Sequence, residues 1–291
     1  MVYYICMKIL IVGAHGLLGT ELLKTFADHN PTGWGRDDLD ITNEQQVRER
    51  IGALAPELII NAAAYTDVEG AEDDKETAAL VNGYAVRLLA ETAEALGVPI
   101  VHYSTDYVFD GTNEDGYAED DKPAEEPLNT YGASKLLGER ELVQATSRFF
   151  LIRTSWLFGS NGKNFIDTMI RLAQERPELK VVNDQHGRPT ATPDLAKATR
   201  QLIEGDYAYG IYHFSNEGEP TTWYEYAQFV IAEYGKKHAW KQEQFPAVIA
   251  TTSAEFGVKA TRPTWSVLRN TKFPPLRPWR EAVLEYINQK P

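Results

Sequence analysis

Cysteine is nearly absent from this chain, whose 291 residues include one cysteine, Cys6, and three methionines. A single cysteine forms neither a disulfide within the chain nor a cysteine-based zinc cluster. This scarcity is typical of proteins that work in a reducing compartment, so we expect a cytoplasmic protein. The six histidines show no HExxH or clustered ligand pattern, and we predict no metal site.

Long apolar runs are also missing. Near the start the longest is Ile9 to Val12, far short of the ~20 residues that a membrane helix needs. The first six residues are apolar but contain no cationic stretch, and we interpret Met7 as the natural start and residues 1–6 as an extension. We therefore expect neither a membrane anchor nor an export signal.

Positive charge is in short supply, with 29 Lys and Arg against 42 Asp and Glu and a net charge of −13. The mean field of such a chain repels the phosphates of nucleic acids and of anionic membranes. Neither is an expected partner, and the composition favours small ligands instead.

The first half of the chain alternates short apolar runs with segments of helical periodicity, which is typical of parallel βαβ units. The predicted strands are Lys8–Val12, Glu57–Asn61, Pro99–Ser104, Phe149–Thr154 and Gly210–Ser215, with a poorly marked one in Pro31–Gly35. The predicted helices are Thr20–Asp28, Thr42–Leu54, Glu76–Leu96, Thr130–Ala145, Phe165–Gln174 and Thr222–Tyr234.

After Trp156 the alternation breaks down, and proline, tryptophan and loop signals become more frequent. We predict an α/β fold with a Rossmann-like doubly wound parallel sheet and a smaller mixed α/β substrate domain at its carboxyl edge. The first domain would comprise residues 1–155 and about 190–217, and the second residues 156–189 and 218–291. The cleft between two such units is where ligands usually bind.

Three glycines follow the first predicted strand and open the first helix. Gly13 would allow the tight turn, Gly16 would let a pyrophosphate approach the backbone, and Gly19 would permit close packing of helix and strand. The N-terminus of the helix adds free N–H groups and a positive dipole. In this strand-to-helix context the pattern predicts a dinucleotide site.

The residues after the second strand leave the choice of dinucleotide open. The glycine spacing is GxxGxxG rather than GxGxxG, and Arg36 stands near the point where an acid that binds the ribose is expected. Arg36 would hold the 2′-phosphate of NADPH or be a solvated surface charge. Asp40 and Ile41 are candidates for the adenine edge, with a helix cap as the alternative for Asp40.

A phenol and an ammonium group, Tyr131 and Lys135, lie four residues apart and thus on one face of a predicted helix. A tyrosine has a reference pKa of ~10. A nearby Lys⁺ would favour the phenolate and bring the pKa towards neutrality. The spacing is common by chance, but the buried strand ending at Ser104 and Thr105 offers a hydroxyl that could share a substrate carbonyl with Tyr131.

With these elements in this order, the sequence resembles the extended short-chain dehydrogenase/reductase family, and more closely its members that reduce 4-keto sugar nucleotides. The resemblance covers residues 7–285 and rests on Leu39–Thr42, Asn61–Thr66, Ser104–Gly111, Tyr131–Lys135, Arg153–Gly159, Asp184–Thr190 and Arg262–Pro263. Arg36 and the extra residues at the start depart from the family pattern, and both NADPH and NADH stay open as cofactors.

The resemblance implies reduction of the C4 keto group of dTDP-4-dehydro-L-rhamnose to dTDP-L-rhamnose by a monomer or a homodimer. Tyr131 would donate the proton, Lys135 would bind the nicotinamide ribose and tune Tyr131, and Thr105 would polarise the keto oxygen. The implied cofactor contacts are Gly13, Gly16, Leu17, Leu18, Gly19, Arg36, Asp40, Ile41, Ala62, Ala63, Ala64, Tyr65, Tyr103, Tyr131 and Lys135.

The implied substrate contacts are Thr105, Asp106, Trp156 and Arg262. The alternative to substrate contact is core packing for Trp156 and a structural ion pair for Arg262. Because the ligands are polyanions, we also expect cations near them: Lys135, with Arg36, Arg153, Arg188 and Arg262 as further candidates.

Two enzyme classes of the same fold are rivals. A 4,6-dehydratase needs a further acid and base, for which similar enzymes have an Asp-Glu pair where this chain has Asp106-Tyr107. A 4-epimerase is not excluded by the chemistry alone. The third rival is a regulatory subunit that keeps the fold without catalysis, although such a protein has no need for Thr105, Tyr131 and Lys135 together.

Overall fold

The computed structural model describes residues 6–290, so residues 1–5 of the predicted extension lie outside it. Its strands are β1 (Ile9–Val12), β2 (Thr32–Trp34), β3 (Leu58–Asn61), β4 (Ile100–Thr105), β5 (Phe149–Thr154), β6 (Leu157–Phe158), β7 (Glu178–Val182), β8 (His186–Gly187), β9 (Thr190–Ala191), β10 (Gly210–His213), β11 (Thr221–Thr222) and β12 (Ala247–Thr251). Its α-helices are α1 (Leu17–Thr25), α2 (Glu44–Leu54), α3 (Val68–Asp73), α4 (Lys75–Ala79), α5 (Ala85–Leu96), α6 (Thr130–Ala145), α7 (Phe165–Glu175), α8 (Thr192–Glu204), α9 (Trp223–Lys237), α10 (Ser253–Phe256) and α11 (Trp279–Asn288).

A parallel sheet of six strands forms the centre, in the order β10-β5-β4-β3-β1-β2. From β1 the chain adds β2 on one side and then β3, β4, β5 and β10 on the other. The strand order therefore reverses between β1 and β3, and ligands of such sheets bind outside the carboxyl ends at this point. The predicted α/β fold with a doubly wound parallel sheet is confirmed.

Both faces of the sheet are covered by buried apolar side chains. The cluster on one face includes Ile9, Ile11 and Leu195 of α8, and the cluster on the other includes Leu10 and Leu89 of α5. Burial on both faces explains why the strands are continuous apolar runs rather than alternating ones. A further cluster lies outside the sheet and takes its side chains from positions between 158 and 191 and between 226 and 287.

The segment predicted as one helix over Glu76–Leu96 is divided into α4, a π-helical turn at Leu80–Tyr84 and α5. Asn82 lies in this turn and its side chain is buried. π-turns are uncommon inside helices and occur frequently at functional sites. Helical periodicity alone does not show such a turn, because the extra residue changes the register only locally.

The structure contains several elements that the sequence did not predict. β7 pairs with β12 in a parallel ribbon, α8 packs on α1, and α11 packs on α9. Between residues 6 and 290, the helices are all too short or too polar to span a bilayer.

Candidate active site

The turn after β1 has the geometry that a pyrophosphate cradle needs. Gly13 has φ +76°, and a Cβ there would lie 2.5 Å from the Ala63 nitrogen. A Cβ at Gly19 would lie 2.1 Å from the Gly13 oxygen, so α1 packs directly against the turn. Both positions therefore require glycine.

The first turn of α1 supplies the donors for that phosphate. Gly16 is the N-cap and its N–H donates to the Gly13 oxygen at 3.0 Å. Leu17 and Leu18 are the first two helical residues. The first N–H groups of a helix have no partner within the helix, and together with its dipole they favour an anion.

Arg36 is exposed just beyond β2, and it forms no ion pair within the described part of the chain. Its charge helps to lower the pKa of Asp40, although the hydrogen bonds from the Thr42 hydroxyl and amide contribute more. Asn43, not Asp40, caps α2, so the helix-cap alternative for Asp40 is wrong. The side chain of Ile41 is buried in the core, which leaves its backbone for contact with a ligand.

The loop after β3 lies against the glycine turn. The Ala62 N–H donates to the Val12 oxygen at 2.9 Å, and the Ala63 N–H donates to Asn61 Oδ1 at 3.1 Å. Asn61 Nδ2 is 3.0 Å from Nδ1 of the buried His102. Sequence reasoning missed Asn61 and His102 as supports of this loop, although polar residues within apolar strands were a signal for both.

Asn82 in the π-helical turn fixes the end of the same loop, where Tyr65 follows Ala64. Its Oδ1 accepts from the Tyr65 N–H at 2.8 Å, and its Nδ2 donates to the Tyr65 carbonyl at 2.9 Å. The same Nδ2 donates to Ser134 Oγ on α6 at 3.0 Å. A Cβ at Gly138 would lie 2.1 Å from the Asn82 carbonyl oxygen. Asn82, also missed from the sequence, thus connects the predicted cofactor loop to the helix with Tyr131.

Lys135 is buried on the inner face of α6. Its Nζ donates to the Tyr103 carbonyl at 2.6 Å and lies 3.4 Å from His102 Nε2. Burial lowers the pKa of Lys135 to about 8, and the carboxylate of Glu139, one turn further on, opposes that shift. The hydroxyl of Tyr103 is hydrogen-bonded to Thr199 at 2.8 Å, so the carbonyl of Tyr103, not its phenol, belongs to the site.

Tyr131 is partly buried on the first turn of α6, and its ring meets the Tyr107 ring edge to face at 6.1 Å. Burial raises the pKa of Tyr131 to about 12, and the nearby charge of Asp106 adds to the shift, while a hydrogen bond with Thr105 opposes it. This direction is opposite to the one expected from Lys135, because burial and the charge of Asp106 determine it. The phenol is therefore protonated at neutral pH, as a proton donor must be.

Thr105 ends β4 beside this phenol and Asp106 follows it, and both residues are buried. The Thr105 hydroxyl donates to Asp106 Oδ1 at 2.9 Å and accepts from the Tyr107 N–H at 3.2 Å. The other carboxylate oxygen of Asp106 accepts from Ser266 Oγ at 2.5 Å. Ser266, which sequence reasoning missed, brings the C-terminal part of the chain to the end of β4.

Trp156 follows β5 in a left-handed backbone conformation, with φ +47°. Its half-buried ring stacks on Trp223 with centroids 3.6 Å apart, and a Cβ at Gly187 would lie 2.6 Å from the ring. A positive φ is strained for a bulky residue, and such strain is found mostly at functional sites. The ring packs on the outer cluster and stays partly exposed, which combines core packing with access to a ligand.

Arg262 forms an ion pair with Glu69 of α3 and also donates to the Ala260 carbonyl. Glu69 accepts in addition from the Lys259 N–H at 2.8 Å. Arg262 therefore takes part in a structural ion pair, which was the alternative interpretation of this residue. The guanidinium also lies close enough to Tyr107 to affect that phenol, so it stays at the border of the site.

The other candidate cations are mostly neutralised by carboxylates. Arg153 binds Glu139 with two hydrogen bonds of 2.9 and 2.7 Å, both groups buried, and Arg188 lies 3.3 Å from Glu217. The expectation that Arg153 supplies positive charge to a ligand is therefore wrong, because Arg153 is buried and paired with Glu139, while Arg188 stays a candidate beside Glu217. The helix end at Gly16 and the exposed Arg36 are also left for that purpose.

Known proteins resemble this chain over nearly its whole length. The family model described as RmlD substrate binding domain matches residues 7–290. The chain belongs to this RmlD family. The match covers nearly the whole chain, and the predicted resemblance to reductases of 4-keto sugar nucleotides is confirmed at the level of the family.

Three relatives of this RmlD-family chain illustrate the match. A dTDP-4-dehydrorhamnose reductase of Aggregatibacter actinomycetemcomitans is 42% identical over 275 residues, covering 91% of each chain. The spore coat polysaccharide biosynthesis protein SpsK of Bacillus subtilis is 38% identical over 289 residues, covering 97% of this chain and 98% of SpsK. The crystal structure of dTDP-4-dehydrorhamnose reductase from Bacillus anthracis in complex with NADP superimposes with a TM-score of 0.90 and 35% identity, over 98% of this chain and 99% of that one.

Proposed function

We propose that this protein reduces the C4 keto group of dTDP-4-dehydro-L-rhamnose with NADPH or NADH and releases dTDP-L-rhamnose. The observation that carries the proposal is the arrangement at the carboxyl end of β4, where Thr105 adjoins the phenol of Tyr131 and Lys135 binds the same strand. The names of the full-length relatives support the substrate, and the NADP complex of the Bacillus anthracis protein supports the cofactor. The single cysteine supports the cytoplasm as the place of action.

In this reaction the residues of the chain have separate roles. The glycine turn at Gly13 and the start of α1 hold the pyrophosphate, and the dinucleotide supplies a hydride to C4 of the sugar. Tyr131 donates its proton to the oxygen at C4, and Thr105 hydrogen-bonds to that oxygen. Lys135 binds the nicotinamide ribose and keeps Tyr131 in place. Burial of Thr105 and Lys135 keeps water from them and strengthens their electrostatic effects.

We place the sugar nucleotide between the sheet and the outer cluster. In this assignment residues 1–155 and about 190–217 bind the dinucleotide, and residues 156–189 and 218–291 bind the substrate. Trp156 would pack against the sugar with its exposed face, since Trp223 covers the other face. Asp106 and Arg262 stay candidates for substrate contacts, although both already have partners in the protein.

The proposal is tested by mixing the purified protein with NADPH and dTDP-4-dehydro-L-rhamnose and following the loss of NADPH absorbance. The expected result is one dTDP-L-rhamnose formed for each NADPH oxidised, identified by NMR of the sugar. Formation of the C4 epimer of that product would change the product assignment, because it requires hydride delivery to the opposite face of C4. No oxidation with any 4-keto-6-deoxy sugar nucleotide would favour a regulatory subunit instead.

Arg36 is assigned to the 2′-phosphate of NADPH. Replacing it with alanine is therefore expected to weaken the binding of NADPH about tenfold and to leave the binding of NADH unchanged. A hydrogen bond to a charged group contributes ~1.5 kcal/mol, which corresponds to about tenfold in affinity. The measurement is kcat/KM with each cofactor. Arg140→Ala, at another exposed arginine, is the matched control. An unchanged NADPH/NADH ratio in Arg36→Ala would show that Arg36 is only a surface charge.

A further inference from the structure

The proposed role of Thr105 requires a proton that is already in use. A threonine hydroxyl has one proton to donate and two lone pairs. In this structure the Thr105 proton is directed at Asp106 Oδ1, 2.9 Å away, while the Tyr107 N–H donates to the hydroxyl oxygen. The phenol of Tyr131 also lies within hydrogen-bond reach of this hydroxyl, so Thr105 has no proton left for a substrate oxygen, which itself carries only lone pairs. It cannot stabilise negative charge at C4 in this state.

The cause is the carboxylate of Asp106. An ionised carboxylate accepts hydrogen bonds and donates none. Asp106 accepts from Thr105 on one oxygen and from Ser266 on the other, and 2% of the residue is exposed. Among the described ion pairs, Asp106 has no partner. It is therefore a buried acid stabilised by hydroxyl groups alone, next to the reacting atoms.

We propose that Asp106 is a positioning residue whose protonation state decides whether Thr105 can donate to the oxygen at C4. When Asp106 takes up a proton, its O–H donates to Thr105 Oγ1 and Ser266 still donates to its other oxygen. The proton of Thr105 is then free to hydrogen-bond to the substrate. The inference rests on the proposed reduction and names the group that controls it.

The surroundings of Asp106 determine the pH at which this change occurs. Burial raises the pKa of Asp106 to about 6, and the hydrogen bonds from Ser266 and Thr105 oppose that shift. The other titratable groups that face it are the phenols of Tyr107 and Tyr131, whose own pKa values are raised and which are neutral in this range. Arg262 contacts Tyr107 from the C-terminal part of the chain.

The direction of the pH dependence of kcat follows from the protonation state of Asp106. Below its pKa Asp106 is protonated and Thr105 is a donor; above it Asp106 is ionised and Thr105 is not. The wild-type kcat is therefore expected to fall as the pH rises through the pKa of Asp106. If Asp106 had a purely structural role, kcat would not fall with rising pH near the pKa of Asp106.

Asp106→Asn tests the proposal most directly. If Ser266 keeps the donor role that it has towards Asp106, the amide oxygen accepts from Ser266 and the amide nitrogen faces Thr105 Oγ1 and donates to it. The Thr105 proton is then free at every pH. We expect kcat of the variant to lose the fall with rising pH.

Ser266→Ala tests the proposal in a second way, by changing the pKa of Asp106 instead of replacing its carboxyl group. It removes a hydrogen bond that lowers the pKa of Asp106. The fall in kcat should move to higher pH by about one unit, the size expected for one hydrogen bond to a charged group. Ser253→Ala is the matched control, because Ser253 also donates to an aspartate, Asp184, at 2.6 Å. Its profile should coincide with that of the wild type.

A measurement without substrate separates this inference from the proposed function. The ¹³C carboxyl resonance that disappears in Asp106→Asn should titrate near pH 6 in the wild-type protein and at higher pH in Ser266→Ala. Wild-type turnover with a flat profile, or a folded Asp106→Asn that keeps the fall or is inactive at every pH, would overturn the inference alone. Absence of wild-type turnover at every pH would remove the proposed function and this inference with it.

Discussion

Tyr131→Phe is expected to lower kcat by about 10²–10⁴-fold, the usual contribution of a positioned general acid. The phenol is protonated, because burial raises the pKa of Tyr131 to about 12, and it lies beside Thr105 at the end of β4. Phenylalanine keeps the ring and its edge-to-face contact with Tyr107 but has no proton to give. Stopped-flow measurement of hydride transfer at saturating substrate is the appropriate assay.

The affinity for the dinucleotide shows whether Tyr131→Phe has lost only its proton donor or whether its binding site is disrupted as well. The dissociation constant of NADPH for Tyr131→Phe should stay within about fivefold of the wild type, since one neutral hydrogen bond typically contributes ~1 kcal/mol to binding. Tyr107→Phe is the matched control: the same change on the neighbouring ring should leave hydride transfer nearly unchanged. Turnover of Tyr131→Phe near the wild-type rate would contradict the assignment of Tyr131 as proton donor.

Glu139→Gln is expected to destabilise the fold by about 3 kcal/mol, because it leaves the guanidinium of Arg153 buried without a counter-charge. The side chains of Arg153 and Glu139 are 2% and 5% exposed, so water cannot replace the lost partner. Arg153 also lies 5.0 Å above the Phe109 ring and 3.3 Å from His213, and neither neutralises its charge. Urea denaturation followed by circular dichroism measures the change.

Glu44→Gln provides the comparison, because Glu44 pairs with Arg48 on an exposed face of α2, with side chains 62% and 43% exposed. The loss there should be below about 0.5 kcal/mol. A loss for Glu139→Gln as small as that for Glu44→Gln would show that Arg153 is solvated or neutralised in another way. Since Glu139 follows Lys135 by one turn of α6, the buried pair also holds the helix that presents Tyr131 and Lys135.

The parts of the molecule that sequence predicted well are those with a local cause. Thr130–Ala145 and Phe149–Thr154 have the predicted bounds, because a cap at Asn129 and a continuous apolar run are visible in neighbouring residues. The glycine turn was predictable for the same reason, since Gly19 is required by its contact with Gly13 within one strand-turn-helix unit, and the positive φ of Gly13 belongs to the turn itself. The fold class followed from the alternation of such units.

What could not be predicted depends on contacts between distant segments. Ser266 reaches Asp106 across 160 positions, and β12 pairs with β7 although neither has a strong strand pattern. The pairing of Arg153 with Glu139 has the same origin: an arginine near a ligand-binding motif is indistinguishable in sequence from one that a buried carboxylate neutralises. The direction of the Tyr131 pKa also depends on Asp106 and on burial, which spacing does not show.

The stacking of Trp156 on Trp223, at 3.6 Å and 11° between the ring planes, gives the protein an internal optical signal. Two indole rings at this distance couple their electronic transitions and produce a paired band in the far-ultraviolet circular dichroism spectrum. A ligand that rests on the free face of Trp156 or tilts it changes this coupling. Occupancy of the sugar site can then be followed without turnover, without a label and independently of the dinucleotide.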